Sequence, residues 1–482
     1  MSVLPFILGI PLVGAAILAF IPDHRIGGWV NVAASFSTFV VSLLLLVFET
    51  PEPNHFAFID DFNIYLVILT SFVAYTAAWF SAGYIAHEIV EGRLTPTYLR
   101  FYHAMYQVLS FAMLLALTAN NIGVMWAAVE LATLTTVVMV SLYRTRPSLE
   151  AAWKYFILGS VGIALALFGT ILVYLAAQKA MGPGMEALTW SSLYAEAPNF
   201  EPELLNLAFV FLLVGYGTKT GLVPLHAWLP DAHAEGPTPI SSVLSGLLLN
   251  VGLYAIVRFK MLLSANGDAL APGPLLIVMG LTSLFVAALM LYRRRDIKRL
   301  FAYSSIEHMG VITFAFGMGG PLANFAGLLH MALHSLTKSA IFYAVGLASQ
   351  ARGTQQIDQI RGLTASHPAL GWGLVAGTLA ISGLPPFGLF MSEFLLVTTT
   401  FARNPPLAIL LVLGLLLALG AMVMRVQALA FGQPRGPIEG DTARLRLSLI
   451  PILVHLGLVL VAGLWLPAPL VAWFQAVARL LG

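Results

Sequence analysis

Apolar residues along this chain gather into long unbroken runs separated by short polar punctuation, and no stretch shows the strict alternation of a half-buried strand. Reading the runs against Gly, Pro and charged breakers predicts fourteen spans, at about 3–21, 27–48, 62–84, 101–118, 121–142, 154–177, 203–225, 239–261, 273–292, 299–317, 323–348, 370–397, 406–430 and 447–474. A helix needs about 20 residues to cross about 30 Å of hydrocarbon. The pattern therefore predicts an all-α polytopic membrane protein with about 14 transmembrane helices. A membrane barrel would instead show alternating segments of about ten residues. The opening "MSVLPFILGIPLVGAAILAF" lacks a basic leader region and a clear cleavage site, so it reads as the first span.

Two spans carry proline where a helix should continue: the seventh at "KTGLVPLHAWLP", with Pro224, and the twelfth at "ISGLPPFGLFMSEF", with Pro385 and Pro386. Proline removes a backbone donor and clashes with the preceding turn, so both helices are expected to be discontinuous. The breaks lie five spans apart. An odd offset reverses direction through the membrane, as two inverted five-helix repeats would require. The chain then divides into an N-terminal three-helix segment (1–100), a first repeat of spans 4–8 (101–262), a second of spans 9–13 (263–430) and a final span (431–482).

Composition agrees, with 59% hydrophobic and only 10% charged residues. The absence of cysteine excludes thiolate-held iron–sulfur clusters, disulfides and c-type haem on this chain. A net charge of +2 gives no reason to expect nucleic acid. Of the 24 Lys and Arg, sixteen fall in loops after odd-numbered spans, Arg25, Arg100, Arg435, Arg444 and Arg446 among them. Five fall on the other side: Lys179, Arg258, Lys260, Arg403 and Arg479. The positive-inside rule then puts both termini outside. The run "RRRDIKR" reads as a topology anchor. No Walker A motif, strand-linked Gly-x-Gly-x-x-Gly or zincin pair is present, which excludes ATP-driven transport.

Charges inside the spans need a reason, since each costs about 2.5–3.5 kcal/mol at a helix centre on insertion scales. Glu130 lies mid-span with no basic neighbour in sequence, and Lys219 is its natural partner. Such a pair favours both charged forms, and separating it makes the lysine readier to release a proton. His330, His334 and Lys338, at i, i+4 and i+8, share one helix face. Histidines and hydroxyls there can pass protons along a hydrated file. No metal is expected, because Glu307 is the one carboxylate close in sequence and its neighbour His308 points about 100° away around the helix. Glu393 follows the second break, where freed carbonyls can bind water or cations. Arg425 is placed to fix a carboxylate such as Glu393, His226 sits in the first break, and His455 reads as a packing residue.

The stretches "KTGLVPLHAWLPDAHAEGPTPISSVLSGLLLNVGLYAIVRF" and "RRDIKRLFAYSSIEHMGVI" resemble the core of the antiporter-like subunits shared by respiratory complex I, Mrp-type sodium/proton antiporters and group 4 membrane-bound hydrogenases. The resemblance runs from about 60 to 430 and implies fourteen helices, two inverted repeats and a charged axis across the membrane middle. By it, Glu130 and Lys219 match the family's fifth- and seventh-helix pair, His308 the tenth-helix histidine, His334 and Lys338 the eleventh-helix positions, and Glu393 the twelfth-helix charge. One departure is Asn250, where many relatives carry lysine or histidine. Asparagine orients water but holds no charge, so water and His308 would have to bridge Lys219 to Lys338.

The twelfth-helix glutamate, Asn250 and "SSIEHMG" resemble the hydrogenase-4 component F group most, and the end of the chain after its fourteenth span leaves no lateral helix of the distal complex I type. The resemblance implies a proton-translocating subunit of a redox-driven complex in a bacterial or archaeal cell membrane, with no redox centre of its own. Quinone, Fe–S or NiFe centres would sit in partner subunits. Its partners would be further antiporter-like membrane subunits and peripheral redox subunits, and its ions protons, with sodium as the alternative. A Mrp-type cation/proton antiporter subunit and a structural scaffold are the competing readings.

Overall fold

The structure, a computed structural model, describes residues 3–48, 50–94, 96–434 and 443–482. Arg435 of the charge tally, and the side chains of Arg100, Arg444 and Arg446, lie outside the described residues. Regular structure among the described residues is helical apart from three isolated β-bridges. Among the described residues, nine helices are long and apolar enough to cross a membrane. The helices Ile297–Met318 and Gly320–Arg352 are not among the nine, although both have the length. They carry Lys298, His308, His330, His334 and Lys338 and are buried along nearly their whole length, so other helices, rather than lipid, solvate them.

Both predicted breaks are present, and they share one local design. The helix Pro202–Thr220 ends at Gly221 (φ +77°), with Leu222 N–H donating to Gly217 O at 2.8 Å and Gly221 N–H to Thr218 O at 3.2 Å. The helix Pro368–Ile381 runs to Gly383 (φ +63°), with Leu384 N–H on Leu379 O and Gly383 N–H on Ala380 O, both at 3.2 Å. Each is a Schellman ending: glycine supplies the left-handed residue, the next leucine closes the longer bond, and the prolines beyond prevent resumption. The chain re-enters helix at Trp228–Glu235 and at Gly388–Arg403. Pro230 lies in the first turn of the former rather than at the break, in keeping with proline's tolerance there.

Glycines set how closely the polar helices approach. Gly273–Leu291 and Ile297–Met318 cross antiparallel through Gly280 against Gly310 and Gly273 against Gly317, where a Cβ on Gly280 would meet Gly310 O at 2.6 Å and Phe314 N at 2.7 Å. Arg146–Met181 and Pro202–Thr220 meet through Gly162, Gly169 and Gly215. Small residues of this kind let membrane helices gain dispersion contact.

The external-side tally needs one correction. Arg258 and Lys260 are not loop cations: both are buried in the helix Leu249–Ser264. Arg258 makes a bidentate pair with Asp60 (2.8 and 2.7 Å) inside a box formed by Phe58, Phe62, Trp190 and Tyr254, and Lys260 Nζ donates to Leu481 O at 2.9 Å. The last predicted span is also two elements, Ala443–Leu464 and Ala468–Leu480, because Pro467 interrupts it. The second of these is tied down by Asn324, whose side chain donates to Ala478 O and Gly482 O.

Two outcomes follow. Gly280→Leu forces side chain onto backbone and should abolish monodisperse protein on size-exclusion in detergent, whereas Gly457→Leu, at a position with no neighbour within 4 Å of a Cβ, should leave the profile unchanged. Asp60→Asn strands the Arg258 guanidinium and should destabilise by about 3–5 kcal/mol, seen as a lowered thermal midpoint.

Candidate functional site: a buried polar axis

Lys219 is the last but one residue of its helix, just before the Schellman turn, and is fully buried. The carbonyl end of a helix favours a cation. Its ammonium lies over the Tyr155 ring at 5.6 Å, and Tyr155 stacks on Trp228 (4.2 Å between centroids), whose Nε1–H donates to Thr218 O at 2.8 Å. The re-entrant helix thus folds back to cap the one that carries the lysine. Glu130, half-buried, is the charge that Lys219 feels, yet among the described residues no contact ion pair joins them. Lys219 Nζ and Glu130 Oε2 both lack a hydrogen-bond partner in the protein. A Cβ on Gly159 would stand 2.8 Å from Lys219 Nζ, so that glycine makes the lysine's room.

In the middle of the molecule Lys338 Nζ donates to Phe301 O at 2.9 Å. Ser305 Oγ donates to the same carbonyl (3.0 Å) and lies 2.7 Å from Ser245 Oγ. Ser245 belongs to a π-helical turn, Leu244–Leu248, inside the eighth predicted span. Such turns shift register and redirect side chains, and they recur at functional sites. Gly246 in the same turn permits close approach to Ser339 Oγ and Ser335 O. Asn250, one turn on, donates to Ser335 Oγ at 2.8 Å while its carbonyl oxygen stays bare. The position that lacks a charge is therefore bridged by an amide and by hydroxyls.

Beyond Lys338 the histidines cluster. His308 Nδ1 lies 3.0 Å from His330 Nε2, His330 Nδ1 lies 3.0 Å from Ser392 Oγ, and the His308 and His334 rings are 5.6 Å apart. Glu307 Oε2 is 3.4 Å from His308 Nε2. Adjacent positions on a helix diverge at the backbone, but these two side chains are long enough to curl back together. Glu393 faces Glu307 across a cavity of about 20 Å³ that Ser304 and Ser382 also line, which is room for a single water. The Glu393 carboxylate lies on the backbone of Gly383, so the glycine of the second break also clears its seat. The ligand atoms of His308, His330 and Glu393 lie within 4.8 Å of one another, a grouping of residues from two consecutive helices and a third distant in sequence.

Three predicted residues stand elsewhere. Arg425 does not meet Glu393: its guanidinium donates to Tyr292 O, at the end of the helix Gly273–Leu291. His226 stays in the break beside Pro224 O, at 3.3 Å and partly exposed. His455 is the packing histidine expected, bonded to Thr76 Oγ1 (2.8 Å) and Leu336 O (2.9 Å) and stacked on Phe72.

The sequence reading passed over a second polar region. A cavity of about 370 Å³ is lined by Tyr84, Glu88, Tyr143, Glu235, Lys298 and Gln350, all at the ends of elements adjoining loops that follow odd-numbered spans. Glu88, buried, accepts from Tyr143 OH (3.0 Å) and Gln350 Nε2 (2.7 Å). His233 is fully buried against Phe342, with both ring nitrogens unpartnered, and feels the charges of Lys298 and Lys338. Its signal was available in "PDAH", one turn past the first break.

Residues 119–418 match the family described as NADH:quinone oxidoreductase/Mrp antiporter, TM. Over 471 residues the chain is 58% identical to the Hydrogenase-4 component F homolog of Methylacidiphilum infernorum, covering 98% of each. It is 27% identical over 420 residues to NADH-quinone oxidoreductase subunit N of Desulforudis audaxviator, covering 83% of this chain and 80% of that one. Among solved structures, a chain of the archaeal membrane-bound sulfane sulfur reductase superposes with a TM-score of 0.86 at 22% identity, covering 99% and 97% of the two chains. A chain of Thermus thermophilus respiratory complex I does so with a TM-score of 0.82 at 23% identity, covering 100% of each.

Proposed function

Because the chain belongs to the NADH:quinone oxidoreductase/Mrp antiporter membrane family, we propose that it is a proton-translocating, antiporter-like subunit of a redox-driven complex of the group 4 hydrogenase type. The observation that carries this reading is the incomplete partnering of the buried axis: Lys219, His233 and His334 are fully buried with bare nitrogens. A group whose only task is to hold helices together has its charge met, as Arg258 does through both terminal nitrogens on Asp60, with Nε alone left bare. Groups that exchange protons keep a lone pair or an N–H free for the next carrier, and water is the carrier of the right size.

In this reading the Glu88–Lys298 cavity is the cytoplasmic inlet, and His233 passes protons inward toward Lys338. The Glu130–Lys219 pair acts as the gate: closer approach of Glu130 holds the ammonium charged, and withdrawal frees its proton. From Lys338 the route runs by the His334, His308 and His330 cluster to Glu307 and Glu393. Electron carriers belong to partner subunits, as do the motions that displace Glu130. The two Schellman breaks five predicted spans apart support two inverted repeats, 101–262 and 263–430, among fourteen spans, and the Lys and Arg distribution supports both termini outside in the cell membrane. The acidic and histidine groups at Glu393 also suit a sodium-coupled variant, and ion substitution during transport distinguishes the two.

In the assembled complex reconstituted in vesicles, Lys219→Ala should abolish proton uptake per electron while subunit composition is kept. Normal pumping by that variant would favour a scaffold role. Gly159→Ala, which crowds the ammonium without removing it, should lower pumping about tenfold if losing correct placement of Lys219 costs about 1.4 kcal/mol. Equal pumping by Gly159→Ala and wild type would show that Lys219 does not work from the position it holds here.

A further inference from the structure

The three helices that bring His308, His330 and Glu393 together assemble, from residues of the proposed proton route, a ligand set of a kind that proton transfer alone does not call for. We propose that these residues form a binding site for a divalent transition metal, zinc above all, and that occupation closes the route through the histidine pair. Two ligand atoms of a tetrahedral zinc with bonds of about 2.0–2.1 Å stand about 3.3 Å apart. His308 Nδ1 and His330 Nε2 stand 3.0 Å apart, and a Glu393 carboxylate oxygen is within 4.8 Å of both, so small side-chain adjustments complete a His₂Glu set with a position left for water.

The outer contacts are those a metal site uses. A ligating histidine is held by an acceptor at its other nitrogen, commonly a carboxylate. Glu307 Oε2 lies 3.4 Å from His308 Nε2, and Ser392 Oγ lies 3.0 Å from His330 Nδ1. Both rings are thus oriented from behind, and each donor atom faces the shared space. Glu307 and Glu393 together offset the double charge of the ion in a medium that would otherwise reject it. Imidazole nitrogen selects zinc, copper, nickel or cobalt over magnesium and calcium. Lys338, whose charge reaches Glu307 and the histidines, opposes the cation.

Ions reach the site from the side of Glu393, the least enclosed of the three ligands. Once bound, the metal takes the lone pairs of His308 Nδ1 and His330 Nε2, the two atoms that otherwise bond to each other. No proton can then cross that pair. The inhibitory half of the proposal rests on the proton-route reading; the binding half does not.

The test starts with the detergent-solubilised complex, stripped with chelator and dialysed against Zn²⁺ in excess Mg²⁺. Wild type should hold one more zinc ion than the His308→Gln/His330→Gln variant, and Co²⁺ in its place should give the intense visible bands of a tetrahedral site. His455→Gln should match wild type. If the double variant fails to assemble, Ser392→Ala keeps all three ligands and should weaken the site about tenfold or more. Equal zinc content and affinity in wild type and the ligand or Ser392 variants, or a cobalt spectrum without tetrahedral bands, would overturn the site. In wild-type vesicles Zn²⁺ should then lower protons moved per electron with the midpoint found by dialysis. Binding without such loss would leave the site standing and overturn both the closure and the passage of protons through the histidine pair.

Discussion

The structure depends on one constraint: a charge brought into the interior of a membrane protein must find compensating dipoles that lipid cannot give. Lys219 and Lys338 meet it in different ways. Lys219 sits at the carbonyl end of a helix that stops where it does because Gly221 and Pro224 stop it. Lys338 lies in the middle of an unbroken helix and borrows a neighbour's carbonyl, that of Phe301. The broken helices and the π-helical turn follow from this need. Each brings backbone polarity to places where an unbroken, evenly packed helix would offer only apolar side chains.

Two kinds of buried charge can be told apart by how far that need is met. Arg258 and Asp60 meet each other's charge, with two short bonds and four aromatic rings around the guanidinium, and only the Arg258 Nε is left without a partner. Nothing about the pair invites change. Lys219, His233 and His334 are the opposite: fully buried, held by rings and dipoles, and short of partners. A protein that left such groups unpaired for no purpose would lose about 1–3 kcal/mol at each. The axis keeps that cost, and the proposed proton exchange supplies a use for it.

Much of this was legible in the sequence because it depends on local pattern. Apolar run length gives the all-helical membrane class, Gly-Leu-x-Pro gives both breaks, and spacing by four puts His330, His334 and Lys338 on one face. What escaped depends on how helices are rotated against each other. Nothing in sequence brings Glu393 to His308, or Arg425 to Tyr292 instead of Glu393. The Ser245–Ser305 bond depends on a π-helical turn that no breaker residue announces. Glu307 and His308 show the limit of angular reasoning, since their backbone positions diverge while the side-chain ends meet at 3.4 Å. Glu88 and His233 were passed over because they lie just beyond the apolar runs, where charge is ordinary until burial is known.

The junction between the halves shows why an uncharged Asn250 is compatible with a continuous route. An amide gives a hydrogen bond at nitrogen and takes one at oxygen, and it cannot exchange those roles without turning over. Asn250 is therefore a fixed element, locked on Ser335. A hydroxyl pair has no such direction. Ser245 and Ser305, 2.7 Å apart, can reverse donor and acceptor by rotation about one bond, and Ser305 shares the Phe301 carbonyl with Lys338. In the proposed mechanism the asparagine sets the geometry of the junction while the serines beside it turn with each proton. The charge that relatives place on this helix is replaced by polarity that can change direction.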